Sequence, residues 1–476
     1  MWNGQVPQSP GGTDKVARVN TLKDMLLEIA EKAVQYSINK KVDQAQASAF
    51  MSDTALTRFA NSQVHQNVAT KTGGVTIKVI MKKRISSLRI NSLEEKDIKK
   101  GVLQAVKIAQ ASQPNKLFKS LPEPEPWRPI ARAFDEETAE CTPKYRAERV
   151  REAIETAHSK SPSVKAVAGY FSTGSTSYAV ANSLGVSAWA RMSSSSMKVT
   201  VISESGTSQG FGTAEKYSRR VKDVQPAVLA DVASEKSVKG LNPVRIPPAE
   251  YEVVLSPLAV ATLLMYLSFG FSATAYQDGT SFVKYCLNQR AFDGKLNVKD
   301  DARDPQTLVA APIDGEGVPK KVMRLIAEGV VSDRSICYNS FTAGKENKKS
   351  TGHAPTPMLA AYFDRPGPFN EIMSPGNSTL NEQIAETKHG IFVTTVHYVN
   401  PVEPTKAILT GLTRDGTFLI EKGEVSKPIV NMRFTDSMLS ALSDIPMMSK
   451  QLEINRGTTV PSLKLKKLRF VGLSAY

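Results

Sequence analysis

The chain has 476 residues, 41% of them hydrophobic and 22% charged, with a formal net charge of +15. That length allows two to four domains with true cores, and that composition excludes a disordered, collagen-like or disulfide-scaffold protein. The charge excess is uneven: residues 1–244 hold 35 Lys and Arg against 23 Asp and Glu, whereas residues 245–476 hold 26 against 23.

In chain order, residues 1–19 are rich in Gly, Pro and polar residues and are expected to be disordered. They have no apolar stretch behind a basic start, so they do not read as a secretory signal. An N-terminal α+β domain is expected over 20–244. Apolar positions Leu22, Met25, Leu26, Ile29, Ala33 and Val34 give a first helix. Short alternating segments follow over 45–67, then two strands or one bent hairpin over 73–91. In "SLEEKDIKKGVLQAVKIAQAS", Ser92 and Glu95 read as a capping box, with Ile98, Val102, Val106 and Ile108 facing inward.

Alternating proline and acid in "SLPEPEPWRP" (120–129) read as an extended linker to a second unit of the same domain. That unit shows a helix over 143–160, a meander of strands with Gly, Asn and Ser turns, and a helix over 228–241. No repeat of fixed period is visible. "NPVRIPP" (242–248) breaks the pattern and opens a β-rich C-terminal domain, 245–476, with a buried helix. The fold class is therefore α+β.

The buried helix lies in Val253–Gln277, which carries no charge. "YEVVLSP" reads as a strand, and Ser256-Pro257 as a cap with Pro at the first helical position. A helix from Pro257 to Phe269 would cover only about 20 Å, short of the ~30 Å hydrocarbon core of a membrane. A helix apolar on every side belongs in a core or an interface.

Chemistry is hard to find. Cys141, Cys286 and Cys337 are widely spaced, which suits a reducing, cytoplasmic compartment and no Cys-rich zinc site. The five histidines form neither HExxH nor HxH, and His389 and His397 would stand ~27 Å apart along one strand. His353, in a loop, is the one histidine kept as a site candidate. The carboxylates of "DDARD" (300–304) read as a solvated face. The densest basic run, Lys82-Lys83-Arg84, has no aromatic neighbour to stack a base, so nucleic acid is not the expected partner.

Five motifs, in order, resemble the TldD/PmbA family: "TRFANSQVHQN" (57–67), "VANSLGV" (180–186), "GTSF" (279–282), "KSTGHA" (349–354) and "HGIFVTTVHYVNPVEPTKAILTGLTRDGTFLIEKGEV" (389–425). The resemblance covers nearly the whole chain. It implies a two-subunit assembly in which a TldD-like chain is a zinc peptidase acting on unfolded peptides and a PmbA-like (TldE) chain is its partner. The family was first described as modulators of DNA gyrase. That leaves a nucleic-acid- or topoisomerase-associated role, using the basic half, as the alternative reading.

The catalytic branch carries HExxxH where this chain has "LLMYLSFGF". Met265 then stands at the first His, Tyr266 at the Glu and Gly270 at the second His. Thioether, phenol and glycine cannot replace two imidazoles and a carboxylate base around zinc. The family's C-terminal Cys ligand is also missing, for "DIPMMSKQ" stands there. The resemblance thus implies a non-catalytic PmbA-type chain with no metal of its own. Zinc is expected in a TldD-like partner (heterodimer), with self-association (homodimer) as the other arrangement. Gly279, Thr280, Ser281 and Phe282 are candidates for lining a peptide chamber.

Overall fold

The computed structural model describes residues 12–455 and 457–474. Residues 1–11, most of the segment expected to be disordered, lie outside the described residues. From Gly12 the chain is helical: α1 spans Gly12–Ile38, so the first helix starts well before residue 20.

The N-terminal half repeats one order of elements twice. After α1 come β1 (Gln44–Ala60), β2 (Gln63–Met81), β3 (Arg84–Ile90) and α2 (Glu95–Ala111). After the extended 120–129 segment and a short α3 (Glu136–Ala139) come α4 (Pro143–Lys160), β4 (Val164–Asn182), β5 (Ser187–Ser205), β6 (Ser208–Ser218) and α5 (Pro226–Lys239). The two units meet where β1 pairs antiparallel with β4, giving one six-stranded sheet in the order β3-β2-β1-β4-β5-β6. The linker therefore joins two halves of one sheet.

The short alternating segments expected over 45–67 are instead parts of one long hairpin. β1 and β2 turn at Asn61 and Ser62, both at positive φ, as a tight two-residue hairpin turn requires. The basic run Lys82-Lys83-Arg84 is the next hairpin turn, again with two positive φ values.

Strand alternation puts Ala45, Ala47, Ile77, Phe171 and Val199 on one face of the sheet, under the four long helices. The other face carries Phe50, Tyr178, Val180 and Ala188, which pack on Ala311 and Ile313 of the C-terminal half. The Tyr178 hydroxyl donates to the Ile313 carbonyl at 2.6 Å, and Lys78 pairs with Glu316 at 3.3 Å. In α2 the inward stripe is Ile98, Val102, Ala105, Val106 and Ala109. Ile108 departs from that spacing and is exposed. The expected capping box is also absent: Ser92 lies before the helix, and its hydroxyl donates to Asp97.

The C-terminal half has two larger sheets and a two-stranded ribbon in which Gln289–Arg290 pairs with Val330–Val331. Strands His389–Glu403, β7 (Glu250–Leu255), Leu463–Leu473, Met432–Ser437 and Ile408–Glu421 pair in that order. The last also pairs with the first, so the sheet closes into a small barrel. The second sheet runs Met323–Ile326, Val298–Asp300, Glu371–Met373, Thr458–Val460, Glu453–Asn455.

Helix α6 (Pro257–Leu267) follows β7 and is buried as expected, with Val260, Leu263, Leu264 and Leu267 in the largest core cluster. It ends at Leu267, and a 3₁₀ turn takes over through Phe271. Ser256 does not cap it; its hydroxyl donates to the Thr394 carbonyl. Among the described residues no helix is long and apolar enough to cross a membrane.

Candidate functional site

The end of α6 sits between two cavities. The first, about 250 Å³, is walled by Leu258, Met265, Phe269, Phe363 and Phe369, with Glu371, Asn455 and Thr458 from the second sheet. The second, about 310 Å³, lies on the other side of Phe269 and includes Tyr266, Gly270, Thr280 and Phe282. Met265 and Gly270 thus face different spaces.

A zinc ion of the kind the resemblance implies needs three side-chain ligands converging on one point. The residues present do not fit it. Met265 offers only a thioether, and Tyr266 turns its ring toward Phe269, with centroids 5.6 Å apart. At Gly270 the obstacle is space: a Cβ there would fall 2.2 Å from Cε1 of Phe282. Phe282 is itself fixed, 2% exposed and edge-on to both Phe271 and Phe292 at 5.6 and 6.2 Å. A phenyl ring fills the room that any side chain at position 270 would need. Met447 and Met448 of "DIPMMSKQ" pair with Lys464 and Leu463. The C-terminal residues that do reach the first cavity are Asn455, Gly457 and Thr458.

The four chamber candidates divide. Thr280 and Phe282 line the second cavity. Ser281 is fully buried: its hydroxyl donates to the Gly270 carbonyl at 2.5 Å and accepts from the Val283 N–H. It ties the 3₁₀ turn to the following loop and is not placed as a nucleophile. Gly279, at φ +72°, makes the turn after α7 (Ala273–Gln277) and lies outside both linings.

A buried polar group beside the first cavity was not anticipated. Asp300, read from "DDARD" as solvated, is 1% exposed. Its carboxylate accepts from the His353 Nε2 at 2.9 Å and from the N–H groups of Phe369 and Asn370. The other ring nitrogen, Nδ1, lies 2.8 Å from the Thr351 carbonyl. Both ring nitrogens are engaged by oxygens of the protein, which leaves neither free to bind a metal. This removes His353 as a candidate ligand. Burial alone would raise the Asp300 carboxyl, but the His353 hydrogen bond and charge and the Lys320 ammonium hold it below the ordinary value.

Glu371 behaves oppositely. Burial, and then the Asp300 charge, push its carboxyl well above the usual range, and the Ser268 hydroxyl donates to it. The pull on the two neighbouring carboxyls is thus opposite in direction. Among the described residues, no group of three or more His, Cys, Asp and Glu is arranged to hold a metal. The sequence carried one faint signal for this cluster, the "KSTGHA" motif that holds His353. Nothing in it marked Asp300, Glu371 or Asn455.

Comparison with known proteins identifies the family and the fold. Residues 134–241 match the PmbA/TldA metallopeptidase central domain, and residues 248–472 match the PmbA/TldA metallopeptidase C-terminal domain. A metalloprotease TldD homolog from Haemophilus influenzae is 23% identical over 246 residues, 50% of this chain and 48% of that protein. A metalloprotease from Methanocaldococcus jannaschii is 23% identical over 231 residues, 48% of this chain and 50% of that one. The chain spans about half the length of these curated relatives.

Among solved structures, TldE from Thermococcus kodakarensis superposes with a TM-score of 0.85 at 20% identity, covering 93% of this chain and 99% of that one. A candidate modulator of DNA gyrase from Thermotoga maritima gives 0.81 at 19% identity, with the same coverage. At such identities these two likenesses speak for the fold. The two matched domains together span well over half the sequence, and the chain belongs to the PmbA/TldD metallopeptidase family.

Proposed function

We propose that this chain is the non-catalytic, PmbA/TldE-type subunit of a two-chain peptidase, with the zinc and its general base in a TldD-like partner. The observation that carries the reading is the Phe282 ring set against Gly270, where a Cβ would stand 2.2 Å away. The loss of the site then goes beyond three substituted side chains, because the space for the second imidazole has been built into the core. Freed from holding charged ligands, α6 carries no charged residue, and its role becomes structural. The substrates of the pair are unfolded peptides, and the working state is a heterodimer.

The test is peptidase activity on an unstructured peptide, with this chain alone, a TldD-like chain from the same organism alone, and the two together. The reading expects no turnover by this chain alone, and co-purification with the partner. Chelator-sensitive cleavage by this chain alone would overturn it.

A further inference from the structure

Six lysines that are scattered in the sequence meet at one end of the N-terminal sheet. Lys41 follows α1, two residues before Asp43, whose carboxylate accepts from the Lys82 N–H in the β2–β3 turn. The carbonyl of the next residue, Lys83, accepts from the Asn115 N–H at 2.7 Å, which brings in Lys116 and Lys119. Gln44 bonds Ser120 and the Leu121 N–H, so the same segment returns to the end of α1. From the C-terminal half, Gly344 lies against Lys119, its Cβ position 3.2 Å from Cγ, and adds Lys345. All but Lys345 are exposed, and none of the six has an ion-pair partner among the described residues. The two carboxylates in these segments are already engaged, Asp43 by the Lys82 N–H and Glu346 by Lys348, Tyr338 and Gln277. The sequence shows a basic run of three; the fold adds four cations to it from three other segments and builds a surface of one sign.

We infer that this end of the sheet is a docking surface for an unstructured polypeptide segment rich in Asp and Glu. Charge complementarity calls for an anion, and the residue types select which one. A lysine ammonium is a point charge on a flexible stem, which suits carboxylates carried by a mobile chain. Phosphate and base recognition favours arginine forks and stacked rings. Arg84, the arginine of the turn, is spent on the Gln110 carbonyl. Phe118 is buried, and Phe341 carries the Lys345 ammonium over its ring at 4.9 Å, so neither ring is open to stack a base.

Leu117, 55% exposed and flanked in the chain by Lys116 and Lys119, adds an apolar contact for a Leu or Val of the same segment. Docking here needs neither zinc nor a second subunit, so it stands or falls apart from the subunit role proposed above.

The experiment follows fluorescence anisotropy of a labelled peptide of repeated Glu-Glu-Leu as the full-length chain is added, in about 0.1 M salt. Saturable binding is expected, at least about tenfold tighter than for the same peptide with Gln in place of Glu, and tighter than for single- or double-stranded DNA of equal charge. These comparisons use the parent chain and need no variant. Lys83→Glu, Lys116→Glu and Lys119→Glu together should weaken binding at least about tenfold with the far-ultraviolet circular dichroism unchanged. Lys96→Glu, Lys99→Glu and Lys100→Glu change the net charge equally and should leave it within about threefold. They lie in the first turns of α2, a helix of 17 residues or about 25 Å whose other end meets the patch, beyond the ~10 Å reach of charge in such salt. No saturable binding of the Glu peptide, equal affinity for the Gln peptide, tighter binding of DNA, or equal losses in the two triple variants would overturn the inference.

Discussion

The two halves of the molecule handle charge and burial in opposite ways. The N-terminal half carries most of the net charge, but its densest basic run is a hairpin turn. Its most buried charge, Arg146, is bonded to neutral groups, Thr57, Thr173 and the Cys141 carbonyl. The C-terminal half is nearly neutral, yet it buries Asp300, His353, Glu371 and Lys320 together and leaves cavities on both sides of α6. Net charge reports on the solvated surface. Chemistry is better sought where charge is buried.

That contrast can be broken by mutation. The largest effect should come from His353→Ala, which strands the Asp300 carboxylate in the core and should cost about 3–5 kcal/mol in urea unfolding. Arg146→Met should cost less, about 1–3 kcal/mol, because it leaves only neutral groups unpaired. Equal losses would erase the distinction between the halves. Restoring the metal motif by Met265→His, Tyr266→Glu and Gly270→His should overpack the Phe282 site by about 1–3 kcal/mol and bring no zinc affinity. A triple variant of unchanged stability that binds zinc would refute the blocked-site account.

Acid should act through the same pair. Asp300 is held below its ordinary value, so its contribution is complete above about pH 4 and is lost as pH falls through the folded-state value. Urea midpoints measured from pH 6 downward should therefore fall less steeply in His353→Ala than in the parent chain. The smallest effect is expected from Lys83→Gln in the hairpin turn, within about 0.5 kcal/mol.

Local pattern made much of the fold legible. Helices α2, α4 and α6 follow from periodicity and their Pro or acidic starts, and the end of β2 and β3 from alternation. The long β1–β2 hairpin was not legible, because the exposed polar run from Gln63 to Thr72 has no inward apolar face to mark it as strand. The closure of the barrel depends on pairings between strands far apart in sequence.

Of the site, Met265, Tyr266 and Gly270 were legible only as positions that the family resemblance implies. The obstruction at Gly270 was not legible, since it lies in a contact with Phe282 across a turn. Nor was the Asp300–His353 pair, whose members are 53 positions apart. An acidic run gives no sign that one of its carboxylates turns inward.

The most direct measurement is the zinc content of the purified chain, by elemental analysis after tag-free purification and dialysis against a mild chelator. A blocked site predicts a content near zero, in a sample whose circular dichroism shows it folded. One tightly held zinc per chain would contradict the account. It would mean that ligands converge in a way the Phe282–Gly270 contact forbids, and the chain would become a peptidase candidate in its own right.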